Sequence, residues 1–217
     1  MRILTILWLL LVGTSTVAQD VLIIGDSVLG IHQNKSGGIE DVITRDTGLS
    51  VEILAQAAAR VVPAKGAGVL MSGTSVVRQL KGRTAPVIVV NGGANDLAQT
   101  CRCGDCEATL DSVLSADGRG ALGQLVAELA QAGSRVLWVG YYDWAPGGRA
   151  FEGCRPYIEE LDQRMRRTAE KLRGVTYIST KDVLDVSNPE HLKSDGIHPS
   201  LTGAALIGRA LAAAIKE

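Results

Sequence analysis

The sequence predicts an α/β protein in which a parallel sheet is covered by helices on both faces. Two observations predict it. Short apolar runs rich in Val and Ile recur along the chain, and between them lie stretches with apolar residues at helical spacing. Runs of the first kind belong to strands buried on both faces, and strand–helix alternation joins parallel strands through crossover helices. In such folds ligands bind at the carboxyl ends of the strands, so the segments just after each strand are where function is sought.

The first strand is expected at Val21 to Ile24, ending at Gly25. Gly38 to Thr47 carries Ile39, Val42 and Ile43 at helical spacing and stops at Gly48, a glycine suited to a left-handed C-terminal cap. Val51 to Leu54 is the second strand, and a helix is expected around Val69 to Leu80. Val87 to Val90 is the clearest strand, and the cysteine-rich stretch beyond it reads as a loop. Leu122, Leu125, Val126 and Leu129 then follow the i, i+3, i+4, i+7 rule up to Gly133. Arg135 to Gly140 is a fourth strand. Pro156 suits the first turn of a long helix containing Ile158, Leu161, Met165 and Leu172 and closed by Gly174. Val175 to Ile178 supplies a fifth strand, and Ile207, Ala210, Leu211, Ala214 and Ile215 mark one face of a C-terminal helix. No repeat or low-complexity tract interrupts the pattern.

The amino terminus has the order of a secretory signal peptide. Met1-Arg2 is a short positive start, Ile3 to Val12 is apolar but for Thr5, and Thr16 and Ala18 stand where a signal peptidase reads. Cleavage is expected after Ala18, leaving residues 19–217 as a single exported domain, periplasmic or extracellular. The apolar run is about half of the ~20 residues needed to span a bilayer, so no stable membrane anchor is expected. The 22 basic and 23 acidic residues nearly balance and form no basic cluster, which argues against nucleic acid as a partner. A single Phe in the whole chain also argues against stacking platforms for single strands. Gly66-Ala67-Gly68 lacks the spacing of a dinucleotide fingerprint, and no P-loop is present. Cys101, Cys103, Cys106 and Cys154 make an even count, which in an exported protein favours two disulfides with three pairings open. A four-thiolate zinc site is the alternative, but it normally uses two spaced C-x-x-C pairs. Either role is structural.

Three short pieces carry chemistry. Gly25-Asp26-Ser27 follows the first strand, where a small residue before the serine permits a sharp turn that exposes both hydroxyl and backbone N–H. Alone it is ordinary turn and cap chemistry. Gly92-Gly93-Ala94-Asn95-Asp96 follows the third strand. Its glycines allow close approach, with Gly93 a candidate substrate contact, and the Asn95 amide can donate toward a developing oxyanion. A helix cap would use the same residues. Ser194-Asp195-Gly196-Ile197-His198-Pro199 sets a carboxylate three residues before a histidine, close enough to hold the imidazole and leave its other nitrogen free as a base. Neither His32 nor His191 has such neighbours. His32 reads as a loop residue with slight potential to touch substrate, and His191 as exposed.

Taken together and in this order, the three pieces make the chain resemble the SGNH hydrolases, also called the GDSL esterase/lipase family, over essentially all of residues 19–217. The resemblance implies a flavodoxin-like, three-layer α/β/α fold with a five-stranded parallel sheet. It implies Ser27 as nucleophile and oxyanion donor through its N–H, Asn95 as a second donor, His198 as base and Asp195 as its orienting partner. The family's remaining donor is a backbone N–H, usually of glycine, after the second strand. In Leu54-Ala55-Gln56-Ala57-Ala58-Ala59-Arg60 the match is Ala58, which serves only if its φ/ψ tolerates a Cβ. Val28 stands where the family has leucine. The implied activity is acyl hydrolysis with no metal or cofactor, on a short-chain ester, an acetylated sugar, a lysophospholipid or a thioester; few aromatic residues and no long lid insertion favour small acyl esters. The alternatives on the same fold are a binding module that has lost its oxyanion hole and an acyltransferase.

Overall fold

The computed structural model describes residues 19–63, 75–144 and 149–217. The expected signal peptide, the Gly66-Ala67-Gly68 stretch and the first part of the helix expected at Val69 to Leu80 lie outside them. Five strands, β1 (Val21–Ile24), β2 (Val51–Ile53), β3 (Val87–Val90), β4 (Arg135–Val139) and β5 (Val175–Ile178), form one sheet in the order β2-β1-β3-β4-β5. Every neighbouring pair is parallel, with Val21 opposite Val51 and Val87, Val87 opposite Arg135, and Val136 opposite Val175. The central strands β1 and β3 are buried along their whole length, which is why their sequences read as unbroken apolar runs. The edge strand β5 is half-buried throughout.

The longer helices fall into two groups that cover the sheet as outer layers of an α/β/α sandwich. One contains α2 (Ile39–Thr47) and α7 (Leu201–Lys216), which pack on each other. The other contains α4 (Glu107–Leu114), α5 (Ala121–Gln131) and α6 (Arg155–Ala169). The α2–α7 contact is so close that a Cβ on Gly208 would lie 2.9 Å from Val42 Cβ and 3.2 Å from the Ile39 backbone. Two very short helices, α1 (Ser27–Gly30) and α3 (Ala94–Asp96), sit directly after β1 and β3.

The expected strands all form, with β2 and β4 each one residue shorter than read. The long helix ends at Ala169, so Leu172 lies in the turn that Gly174 closes at φ +79°. Residues 75–80 do not continue a long helix. A parallel bridge from Ser75 to Arg60 keeps the chain extended, and only one 3-10 turn, Val76–Arg78, follows before Lys81 and Gly82 turn left-handed. The cysteine stretch also differs from a plain loop. Leu97–Cys101 is a π-helical turn, Arg102 and Cys103 have positive φ, and α4 begins at Glu107. The four cysteines form two disulfides, Cys101–Cys106 and Cys103–Cys154.

Gly208→Leu should force α2 and α7 apart. Overpacking of this kind costs about 1–3 kcal/mol, which for a domain this size lowers the thermal midpoint by roughly 3–10 °C. A calorimetric midpoint unchanged from the parent protein would show that the helices have slack there.

Candidate active site

The sheet order reverses between β1 and β3, and that crevice is where an open α/β sheet receives its ligand. Ser27 follows β1 and Asn95 follows β3. Gly25 turns at φ +148°, and its lack of a side chain is required, since a Cβ there would overlap Asn91 Oδ1 at 1.9 Å. Asn91 grips the next residue twice, accepting from Asp26 N at 3.0 Å and donating through Nδ2 to Asp26 Oδ1 at 3.1 Å. Gln79 grips Gly25 in the same manner through its N–H and C=O, both at 2.7 Å. Asp26 caps α1 by accepting from Val28 N at 2.9 Å, so Ser27 sits at the first helical position. The buried Tyr141 hydroxyl, just beyond β4, donates to Asp26 Oδ2 at 2.7 Å and accepts from Ala94 N at 3.2 Å. Burial, reinforced by the Asp26 charge, holds that phenol well above its usual range, so it remains a donor.

His198 arrives from a loop braced at several points. Its carbonyl accepts from Lys193 N at 2.8 Å, and Leu192 and Pro199 form an antiparallel bridge. Tyr142 Oη donates to Ile197 O at 2.6 Å, and His32 Nε2 donates to Pro199 O at 3.0 Å. His32 thus tethers the loop and lies apart from the lining of the active-site cavity. His191 is also internal to this region, half-buried, with Nδ1 accepting from Asp185 N at 3.0 Å, and does not stand exposed. Asp195 Oδ1 accepts the N–H groups of Ile197 and His198, both at 2.9 Å, while Oδ2 accepts from His198 Nδ1 at 2.9 Å. Desolvation alone would raise this carboxyl, but the hydrogen bonds from His198 and Ile197 outweigh it and bring it down to about 2. His198 Nε2 then faces Ser27 Oγ at 2.9 Å, across 171 residues of chain. Because the ionised Asp195 can only accept, the ring proton belongs on Nδ1 and Nε2 is left as an acceptor facing the Ser27 hydroxyl.

Ala58 has φ +58°, the left-handed conformation that favours glycine. It adopts the glycine-like turn despite its Cβ, at a cost of about 1–2 kcal/mol. Among the described residues, nothing accepts from the N–H of Ser27 or of Ala58. Asn95 donates one amide hydrogen to Ala59 O at 3.1 Å, which leaves its second for a ligand. Asp96, beside it, is fully buried and accepts from Val61 N at 2.9 Å and Val62 N at 2.8 Å, fastening the segment after β2 to the segment after β3. Gly93 lies apart from the cavity that these residues border. A Cβ on it would meet Leu161 Cδ2 at 2.7 Å, so the lack of a side chain here serves packing beneath α3. Ser27, Ala58, Asn95 and His198 do border one cavity of about 290 Å³, whose walls are mainly apolar and include Val28, Trp144, Phe151 and Ile158.

Sequence reading missed Asn91, Gln79, Tyr141, Tyr142 and Asp96 as parts of the site. Two signals were available. Asn91 is a polar residue set directly on the end of a fully apolar strand, and Tyr141-Tyr142 follows β4 at the same level of the sheet.

The model of the GDSL-like lipase/acylhydrolase family matches residues 23–206, and it therefore spans both ends of this constellation. The chain belongs to that family. It is accordingly a hydrolase of the SGNH type. No curated protein matches it in sequence. Among solved structures, the lipase/acylhydrolase from Enterococcus faecalis superposes with a TM-score of 0.64 at 19% identity, over 91% of this chain and 95% of that one. A family two carbohydrate esterase from Clostridium thermocellum, in complex with cellohexaose, gives 0.56 at 17% identity over 91% of this chain and 63% of that one. A carbohydrate esterase family 2 enzyme with a carbohydrate binding domain, from Corynascus thermopiles, gives 0.60 at 14% identity over 93% and 67%. At these identities the likeness establishes a shared SGNH-type fold.

Burial raises Asp96 from 3.8 to about 6 against the downward pull of the Val61 and Val62 N–H groups. A carboxyl raised on folding favours the native state below its unfolded value, and that contribution is lost as pH rises through the folded value. Urea unfolding across pH should therefore show parent stability falling from about pH 4 to 6 relative to Asp96→Asn, whatever the variant's lower overall stability. Parallel curves for the two proteins would place the Asp96 titration elsewhere.

Proposed function

We propose that the protein is an exported serine esterase that hydrolyses small acyl esters through an acyl-enzyme on Ser27. The observation that carries this reading is the continuous hydrogen-bonded relay from Ser27 Oγ through His198 to Asp195, with both links at 2.9 Å, at the edge of an apolar cavity. In the first step Ser27 Oγ attacks the ester carbonyl while His198 Nε2 takes its proton, and Asp195 stabilises the imidazolium. The carbonyl oxygen becomes an oxyanion held by the Ser27 and Ala58 N–H groups and the Asn95 amide. His198 then gives the proton to the departing alcohol. A water attacks the acyl-enzyme with His198 again as base, the acid leaves, and Ser27 recovers its proton.

Ala58 bears on the choice between enzyme and binding module. Ala58 keeps the left-handed turn, and among the described residues nothing accepts from its N–H, which supports a retained oxyanion donor. Cavity size supports a small acyl group, because about 290 Å³ lies at the lower limit of ligand pockets, which run to roughly 300–1,000 Å³. Export rests on the signal-peptide pattern of residues 1–18, with residues 19–217 as the mature domain, and two disulfides suit an oxidising compartment. No helix among the described residues is long and apolar enough to cross a membrane.

Hydrolysis of nitrophenyl esters from acetate upward tests the reading. Ser27→Ala should abolish turnover, and Asn95→Ala should lower kcat by about 10²–10³ with a smaller effect on KM. Turnover that survives in purified Ser27→Ala would exclude Ser27 as the nucleophile.

A further inference from the structure

Trp144, Phe151 and Ile158, from three successive segments of chain, build an apolar part of the cavity wall. Trp144 follows β4, Phe151 lies in the 3-10 segment Arg149–Cys154, and Ile158 is in the first turn of α6. Phe151 is the chain's only phenylalanine, and its ring meets that of Trp144 with centroids 6.2 Å apart at 51°. The Arg155 guanidinium lies over the Trp144 ring at 4.7 Å and donates to Trp144 O at 3.5 Å. The segment is also fixed covalently. Cys154, fully buried, is bonded to Cys103, just beyond the π-helical turn that continues from Asn95 and α3. Gly153 lies against Cys103 so closely that a Cβ would come within 3.1 Å of its carbonyl oxygen. The turn carrying an oxyanion donor and the turn carrying the apolar wall are thus one cross-linked unit.

We propose that Trp144 and Phe151, pinned by the Cys103–Cys154 disulfide, form a fixed end-wall that limits the acyl group to short chains. This rests on the esterase reading for the identity of the ligand and adds to it a length limit with named residues. A wall tied by a covalent bond, a cation–π contact and a ring–ring contact does not swing aside as a lid would. Within the limit each added methylene should strengthen binding about four-fold, and beyond it the gain should stop or reverse.

The test reads the wall without turnover. Straight-chain carboxylates from butyrate to dodecanoate, the acid products of such esters, are titrated calorimetrically into Ser27→Ala protein. Affinity should rise with length and then break at a short chain. Adding Phe151→Ala should move the break longer by two or more carbons. Replacing Cys103 and Cys154 by Ser together should blur the break while leaving the Cys101–Cys106 bond in place. A break that stays put in the Phe151→Ala protein overturns the proposal, as does affinity that climbs without a break, or no binding of any carboxylate. Because Ser27 is absent throughout, failure here is distinct from failure of the esterase reading, which is judged by Ser27-dependent ester cleavage.

Discussion

The site depends on one buried carboxylate. Asp26 is 2% exposed and gathers hydrogen bonds from Val28 N, Asn91 Nδ2 and Tyr141 Oη. Those partners stand at the ends of β1, β3 and β4, so a single side chain joins three of the five strands at the level where the ligand enters. An unpaired carboxylate at that depth would cost several kcal/mol, whereas one whose acceptor sites are filled fixes its neighbours instead. Ser27 is therefore placed by its predecessor. The serine's own contacts are few, which leaves its hydroxyl and N–H to face the cavity.

Two further buried aspartates extend the same device around the rim. Asp96 fastens the segment after β2 to the Asn95 turn, and Asp162, from α6, accepts from Tyr141 N at 3.0 Å and Tyr177 Oη at 2.6 Å. Desolvation raises Asp162 above its usual value, as it does Asp96. Loops at strand ends are normally the mobile part of an α/β protein. Here the segments after β1, β2, β3 and β4 are stitched together through Asp26 and Asp96, and the segment after β3 is also cross-linked by Cys103–Cys154. Pre-organisation of this kind is what an oxyanion hole needs, since donors that must first be reoriented contribute less in the transition state.

Much of this was legible in the sequence because it is local. The five strands declared themselves by apolar runs, and Ser27, Asn95, Asp195 and His198 by short motifs placed at element ends. Asp195 and His198 are three residues apart, so their pairing could be read directly. The supports were not legible. Asn91 acts on a residue 65 positions away, Tyr141 on one 115 away and Gln79 on one 54 away, and nothing local marks such partners. Cysteine pairing was open for the same reason, since Cys103 and Cys154 are 51 residues apart and meet only through the packing of α6. Ala58 was singled out by position alone, and its left-handed φ could not be read from a run of three alanines. The packing demand at Gly93, set by Leu161 and Val113, could not be read from the sequence either.

The most direct test of the central claim is the mass of the intact protein after exposure to a fluorophosphonate, followed by mapping of the modified peptide. Such a probe reacts with a serine whose proton is taken by a base and whose oxyanion is stabilised, conditions that the proposed Ser27–His198–Asp195 relay and the Ala58 and Asn95 donors would supply. The account predicts one adduct per chain, on the peptide containing Ser27, and its loss in His198→Ala. An unmodified protein, or an adduct that persists in Ser27→Ala, would contradict it.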